Sequence, residues 1–159
     1  MQPYLATFQA LVAERGTEFL SQHGLVAKAG LGLDAAILKL LKPHWTTDEP
    51  GALLNSNGVF FGVWVDQACV AKRRVRYNLH AKKLRFLKGG AFPAREFARA
   101  FRAEAGSALR SWPAMRFPKG PITLFEGEVP LDPATLKPEA SALMDLFAAL
   151  APLIDQMLA

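Results

Sequence analysis

The chain has 159 residues, 51% of them hydrophobic and 21% charged, a balance ordinary for one soluble globular domain spanning 1–159. A single cysteine, Cys69, excludes an internal disulfide and fits a reducing compartment. The formal charge of +5 permits an anionic partner without demanding one.

The start, MQPYLATF, lacks the cationic and apolar regions of a signal peptide, and the central apolar run Gly58 to Val65 is far short of a membrane span, so a cytoplasmic protein with no membrane partner is expected. Pro3 to Gln22 then reads as a helix, with Leu5, Phe8, Leu11, Val12, Phe19 and Leu20 near helical spacing, Gly16 weakening its middle and Gly24 ending it. The glycine-punctuated Leu25 to Leu33 reads as a loop. Asp34 is a candidate N-cap for a second, short helix filled by Ile37, Leu38, Leu40 and Leu41 and ended by Pro43.

Pro43 to Asn57 is turn-rich. Asn57-Gly58 favours positive φ, which predicts a hairpin pivot with Ala52 to Leu54 as a short first strand. Val59 to Val65, VFFGVWV, is continuously apolar and reads as a central strand covered on both faces, with Gly62 marking a bulge or a close approach. Asp66-Gln67 is expected to turn tightly into the next strand.

The stretch Ala68 to Lys88 holds Lys72, Arg73, Arg74, Arg76, Lys82, Lys83, Arg85 and Lys88 and no acid. With period two, Cys69, Ala71, Val75, Tyr77 and Leu79 fall on one face, and Lys72, Arg74, Arg76, Asn78 and His80 on the other, as in a half-buried strand. Arg73 is the one charge on the apolar side. Lys88-Gly89-Gly90 breaks the chain, and Pro93 opens a helix over Ala94 to Arg110. Its Phe97, Phe101, Ala105 and Leu109 share one arc, and Arg95, Arg99 and Arg102 lie on another beside it. The like-charged pair Arg95 and Arg99 is one that stability alone would not select.

After Trp112-Pro113, Pro121 to Val129 reads as a strand with Ile122, Leu124, Glu126 and Glu128 on one face. Pro130 to Pro138 reads as a linker. Pro138 opens a last helix carrying Leu143, Leu146, Phe147, Leu150 and Ile154, which Pro152 is expected to kink or divide. The order of elements predicts an α+β fold: a single domain with a small antiparallel or mixed sheet of about four strands, two N-terminal helices, a central Arg-striped helix and a C-terminal helix.

Charge is segregated. Between Lys72 and Lys119 there are fourteen Lys or Arg against two acids, Glu96 and Glu104. This points to a non-enzymatic module that binds nucleic acid or another polyanion through Arg74, Arg76, Lys82, Lys83, Arg95, Arg99 and Arg102. The Gly-Gly break is expected to let the strand and helix stripes form one surface. The bland alternative is a solvated face.

Two further readings compete. Asp66, Glu126 and Glu128 are candidate ligands for a divalent metal in a phosphodiester hydrolase, with Lys82 or Lys83 assisting. The order of elements resembles nuclease cores of the PD-(D/E)xK type, but the acid-x-Lys element is missing: Glu126-Gly127-Glu128 is followed by Val129. His80, set among cations, is expected to be neutral and is the candidate base. The other reading is an interaction domain that dimerises through the C-terminal helix. His23, His44, His80 and Cys69 have no ligand-like spacing, and no glycine-rich phosphate loop or nucleophile motif occurs, so no metal site and no cofactor are expected. Trp64, Tyr77 and Trp112 are candidates for stacking on bases, although aromatics in apolar runs are usually core.

Overall fold

The computed structural model describes residues 1–87 and 92–159, so the Lys88-Gly89-Gly90 break lies outside the described residues. The elements run α1 (Gln2–Gln22), β1 (Val26–Gly32), β2 (Ala35–Leu41), β3 (Gly58–Val65), α2 (Gln67–Lys72), β4 (Arg74–Lys82), α3 (Ala94–Leu109), β5 (Thr123–Pro130) and α4 (Leu136–Leu158), with 3-10 turns at Pro43–Trp45 and Leu84–Phe86. The five strands form one antiparallel sheet in sequence order, β1-β2-β3-β4-β5, and the fold is α+β.

The first departure from the sequence reading is at the N-terminal end. Leu25 to Leu41 is a hairpin, not a loop followed by a helix, so one N-terminal helix precedes the sheet instead of two. Val26 pairs with Leu41 and Gly32 with Ala35, leaving Leu33 and Asp34 as a two-residue turn. Both have positive φ, 51° and 59°, the backbone of the turn whose twist matches that of paired strands. In β2 the apolar residues alternate: Ala36, Leu38 and Leu40 are fully buried, while Ile37 and Lys39 point to the other face.

Ala52 to Leu54 is not a strand; residues 46–57 form a loop closed on itself by Asp48. Asp66-Gln67 does not turn directly into a strand. Asp66 caps α2, its Oδ1 accepting the Cys69 N–H at 2.8 Å, and Arg73 ends that helix in the left-handed region with φ 53°. The strand therefore begins at Arg74, and from there the expected alternation holds. Val75, Tyr77, Leu79 and Ala81 are buried, and Arg74, Arg76, Asn78, His80 and Lys82 take the opposite face.

The helices cover one side of the sheet. Phe61 stacks on Phe147 of α4 at 4.4 Å, Phe101 of α3 stacks on Phe125 at 6.0 Å, and Trp112 meets Phe125 edge-on at 5.1 Å. Burial of such side chains contributes roughly 1.5–3 kcal/mol each before conformational entropy is subtracted. α1 lies against β1 and α4 and is kinked at Gly16. α4 begins at Leu136, two residues before Pro138, which the first turn of a helix tolerates. It runs through Pro152 as one helix, so of the kink or division expected there the division does not occur. By length and composition α4 would suit a bilayer. In this fold nine of its residues, including Leu143, Phe147 and Ile154, are buried in the core.

The C-terminal end of α4 is tied down by charge. Asp155 accepts from Trp45 Nε1 at 2.8 Å, from His44 Nε2 at 2.8 Å, and from the Lys42 ammonium. Burial pushes the Asp155 carboxyl upward, but these hydrogen bonds outweigh it and hold the group below the ordinary carboxylate value. A carboxylate depressed in this way stabilises the fold above its unfolded value of about 3.9, and the contribution is lost as pH falls through the folded value. Asp155→Ala is therefore expected to cost about 1–3 kcal/mol near neutral pH, because the buried Trp45 N–H loses its acceptor. Denaturation curves of the two proteins should converge as pH drops below about 3.9. Equal midpoints at pH 7 would show that the contact is not holding the helix.

Candidate functional site

Among the described residues no helix covers the centre of the second face of the sheet. From β2 it presents Ile37 and Lys39, from β3 Phe60, Gly62 and Trp64, and from β4 Arg76, Asn78, His80 and Lys82. Strand register sets these in transverse rows. Lys39, Gly62, Asn78 and Glu126 are successive Cα partners across four strands, as are Ile37, Trp64, Arg76 and Glu128.

The loop of residues 46–57 folds over one end of this face. Its shape comes from Asp48, whose carboxylate accepts from the backbone N–H groups of Ser56 and Asn57, from Ser56 Oγ and from Asn57 Nδ2. Thr46 Oγ1 donates to the Asn57 carbonyl at 3.0 Å. Lys39 Nζ donates to the carbonyls of Ala52 and Leu53 at 3.3 and 3.2 Å, which fastens the loop to the sheet. Between loop and strands lies a cleft of about 380 Å³, with apolar walls from Ile37, Leu53, Leu54, Phe60 and Trp64 and with Lys39, Asn55, Asp66, Asn78, His80 and Lys82 as polar groups.

The electrostatics of this cleft are unusual. Lys39 is only 1% exposed. Burial, and then the positive charge of Lys82, lower its ammonium to about 8, with Asp48 partly opposing. Lys39 Nζ and Lys82 Nζ lie 4.4 and 5.5 Å from the centroid of the Phe60 ring. Burial, and then Lys82, lower His80 to about 4, so the imidazole is neutral at pH 7. Its Nε2 accepts from Asn78 Nδ2 at 2.7 Å, and its Nδ1 meets Thr123 Oγ1 at 3.0 Å. His80 is thus held as a hydrogen-bonding residue whose side-chain partners, among the described residues, are Asn78 and Thr123. Asn55 Oδ1 and Asn78 Oδ1 are buried with no hydrogen-bond partner. Buried carbonyl groups in that condition are few in folded proteins.

A second cleft, about 410 Å³, adjoins the first across Trp64 and is lined by Lys72, Arg74, Arg76, Arg116, Glu126 and Glu128. The Arg76 guanidinium lies 5.2 Å from the Trp64 ring and pairs with Asp66. Arg116 pairs with Glu126.

The residues expected to form one basic surface are divided. Arg74, Arg76 and Lys82 lie on the open face, and Lys83 is exposed just beyond β4. Arg95 and Arg99 are exposed on α3, which packs through Phe101 and Phe125 against the other side of the sheet. The expected merger of strand and helix stripes therefore does not occur. Arg102 is a structural clip, its guanidinium donating to the carbonyls of Pro118, Gly120, Thr123 and Leu124.

The competing reading of Asp66, Glu126 and Glu128 as metal ligands finds no support in the geometry. Among the described residues no three His, Cys, Asp or Glu side chains gather closely enough to hold an ion. Asp66 is committed to the α2 N-terminus and to Arg76. Burial pushes its carboxyl upward, but the Cys69 hydrogen bonds and Arg76 hold it below the ordinary range. Glu126 and Glu128 face Asn78 and Arg76 across the β4–β5 ladder. Tyr77 and Trp112 are core residues and Cys69 is buried, whereas Trp64 is half-exposed.

Sequence reasoning missed Lys39, Asn55, Phe60 and Asn78 as site residues. The signal for Lys39 was a lone charge in the otherwise apolar run Ala35–Leu41, legible once that run is a strand. No protein-family model, curated protein or solved structure matches the chain.

A buried ammonium disfavours its own charged form, which opposes the hold that its two hydrogen bonds give the loop. Lys39→Met is expected to change stability by no more than about 1 kcal/mol at pH 7, because relief of the buried charge offsets the loss of the donor to the Ala52 and Leu53 carbonyls. The sign with pH is also set. Lys39 binds its proton less tightly folded than unfolded, so the wild type gains stability between about 8 and the unfolded value of about 10.4, and the variant should not. Urea titrations at pH 7, 8.5 and 10 measure both effects. A large loss at pH 7 would make Lys39 a structural tether for the loop.

Proposed function

We propose that the chain is a binding module that holds single-stranded nucleic acid against the open face of its sheet. The observation that carries the reading is the outward placement of Phe60 and Trp64 on the central strand, with Lys72, Arg74 and Arg76 toward one end and Lys82 toward the other. Aromatic rings offer stacking to any unpaired base, at about 1–3 kcal/mol each, and the flanking cations suit the phosphates between bases. A duplex buries its base faces in its own stack and cannot use Phe60 or Trp64 this way. The sheet therefore favours a single strand, although its cations attract both.

Arg95 and Arg99 belong to a different side of the molecule and take no part in this reading. Anisotropy titrations of a labelled twelve-nucleotide strand and its duplex, at several salt concentrations, test it. The strand should bind more tightly than the duplex at each concentration, and log K should fall with log salt by about 0.7 for each phosphate contacted. Phe60→Ala should weaken binding roughly fivefold or more. Lys82→Ala should reduce the salt slope by about 0.7, the share of one phosphate. Arg95→Ala combined with Arg99→Ala should change little. Loss of binding in that α3 variant alone, or no binding at low salt, would overturn the proposal.

A further inference from the structure

The two edges of the sheet are not alike. We infer that the outer edge of β1 is a docking surface for a second copy of this chain, which joins it by antiparallel pairing of β1 with β1 about a two-fold axis at Ala29. The two five-stranded sheets then become one continuous sheet.

In an antiparallel sheet, alternate residues of a strand turn their N–H and C=O toward one neighbour and the rest turn theirs the other way. The two-residue turn Leu33-Asp34 closes on the pair Gly32 and Ala35, so the even-numbered residues of β1 face β2. Ala27, Ala29 and Leu31 therefore turn their backbone groups outward. Among the described residues no backbone of another segment pairs with those groups. The same alternation turns Glu126 of β5 outward, and that edge is largely closed. Arg116 and Glu126 exchange N–H···O bonds of 2.8 and 3.0 Å, the Arg102 guanidinium takes the Leu124 carbonyl, and Pro130 has no N–H to offer. β1 instead pairs with β2 over seven consecutive residues without proline or bulge, and of the usual edge defences it carries only Lys28.

What this edge fits is its own copy. Antiparallel pairing centred on Ala29 aligns all seven residues and sets a larger side chain against a small one at each step. Val26 meets Gly32 of the other copy, Leu31 meets Ala27, Lys28 meets Gly30, and Ala29 meets itself. With the axis on Lys28, two ammonium groups would stand directly opposite, which is unfavourable. With the axis on Gly30, Val26 and Ala27 would run past the end of the partner strand. Leu31 is 45% exposed although its neighbour Ala36 on β2 is fully buried, and the pairing covers it. The outward residues form three pairs of two bonds each, about six backbone hydrogen bonds in all. A contact one strand long, about 23 Å, is small for a permanent dimer, so the two copies should exchange with monomer.

Sedimentation equilibrium of the full chain, from micromolar to millimolar concentration, should show a monomer–dimer equilibrium. Ala29→Pro removes an outward N–H and no ladder bond to β2, so the variant should keep the circular dichroism and cooperative unfolding of the wild type. Its dimerisation should weaken roughly tenfold or more, because symmetry removes the bond from both copies. Hydrogen exchange followed by NMR locates the contact in the unaltered protein. The amides of Ala27, Ala29 and Leu31 should exchange quickly in dilute solution and become protected at high concentration, whereas those of Lys28 and Gly30, bonded to β2, stay protected throughout. Protection of the three outward amides on association upholds the inference, and it decides alone if Ala29→Pro fails to fold. A chain that is monomeric at every concentration would overturn it. So would a dimer that forms while those three amides stay unprotected, since its contact would lie on another face.

Discussion

The stacking of Phe61 on Phe147 at 4.4 Å fixes which face of β3 is inside, and the rest of the molecule follows from it. Side chains alternate along a strand, so Phe61, Val63 and Val65 turned toward α4 leave Phe60, Gly62 and Trp64 on the other side. A slip of one residue would exchange the two sets, turning Phe60 and Trp64 inward and expelling Phe61. The entry to β3 is held against such a slip. Gly58 has φ 96°, and a Cβ there would lie 2.1 Å from the Trp45 carbonyl, so only glycine fits. Trp45 is in turn clamped by Asp155 and meets Phe61 at 5.9 Å. Core and candidate site are two sides of one register.

On the inward side the packing is apolar and its few polar groups are matched. Tyr77 donates to the Pro113 carbonyl at 2.6 Å, and Trp45 to Asp155. On the outward side the balance changes. Lys39 is buried at the expense of its own charge, His80 is kept neutral, and two amide oxygens have no donor. Local conflicts of this kind gather where a fold is built for a ligand instead of for its own stability. Their concentration around one cleft, whereas the half-buried guanidinium of Arg102 on α3 donates to carbonyls of its own fold, is why the open face and not the arginine helix is taken as the working surface.

Much of this fold was legible in the chain. The alternation from Val75 to Lys82, the apolar run of β3, the α3 arc and the α4 stripe all read directly as the elements they form. The N-terminal hairpin did not. Leu33-Asp34 is an uncommon pair for a two-residue turn, and Ile37, Leu38, Leu40 and Leu41 satisfy helical spacing as readily as strand alternation. The α2 turn hid because Arg73 adopts a positive φ that its side chain does not advertise. The site was half-visible: Arg74, Arg76 and Lys82 belong to it, but their partners come from register, which pairs residues 39, 62 and 78. Arg102 misled because spacing on a helix does not reveal that four carbonyls of the 118–124 segment await its guanidinium.

The central claim is that ligand is received on the open sheet face. Amide and side-chain NMR spectra of the labelled protein, recorded as a short single strand is added, test this most directly. The account predicts that the resonances that move are those of Lys39, Phe60, Gly62, Trp64, Asn78 and Lys82, with the indole N–H of Trp64 shifting while those of Trp45 and Trp112 stay. Shifts confined to Arg95, Arg99 and their neighbours on α3, with Trp64 and Gly62 unmoved, would contradict it.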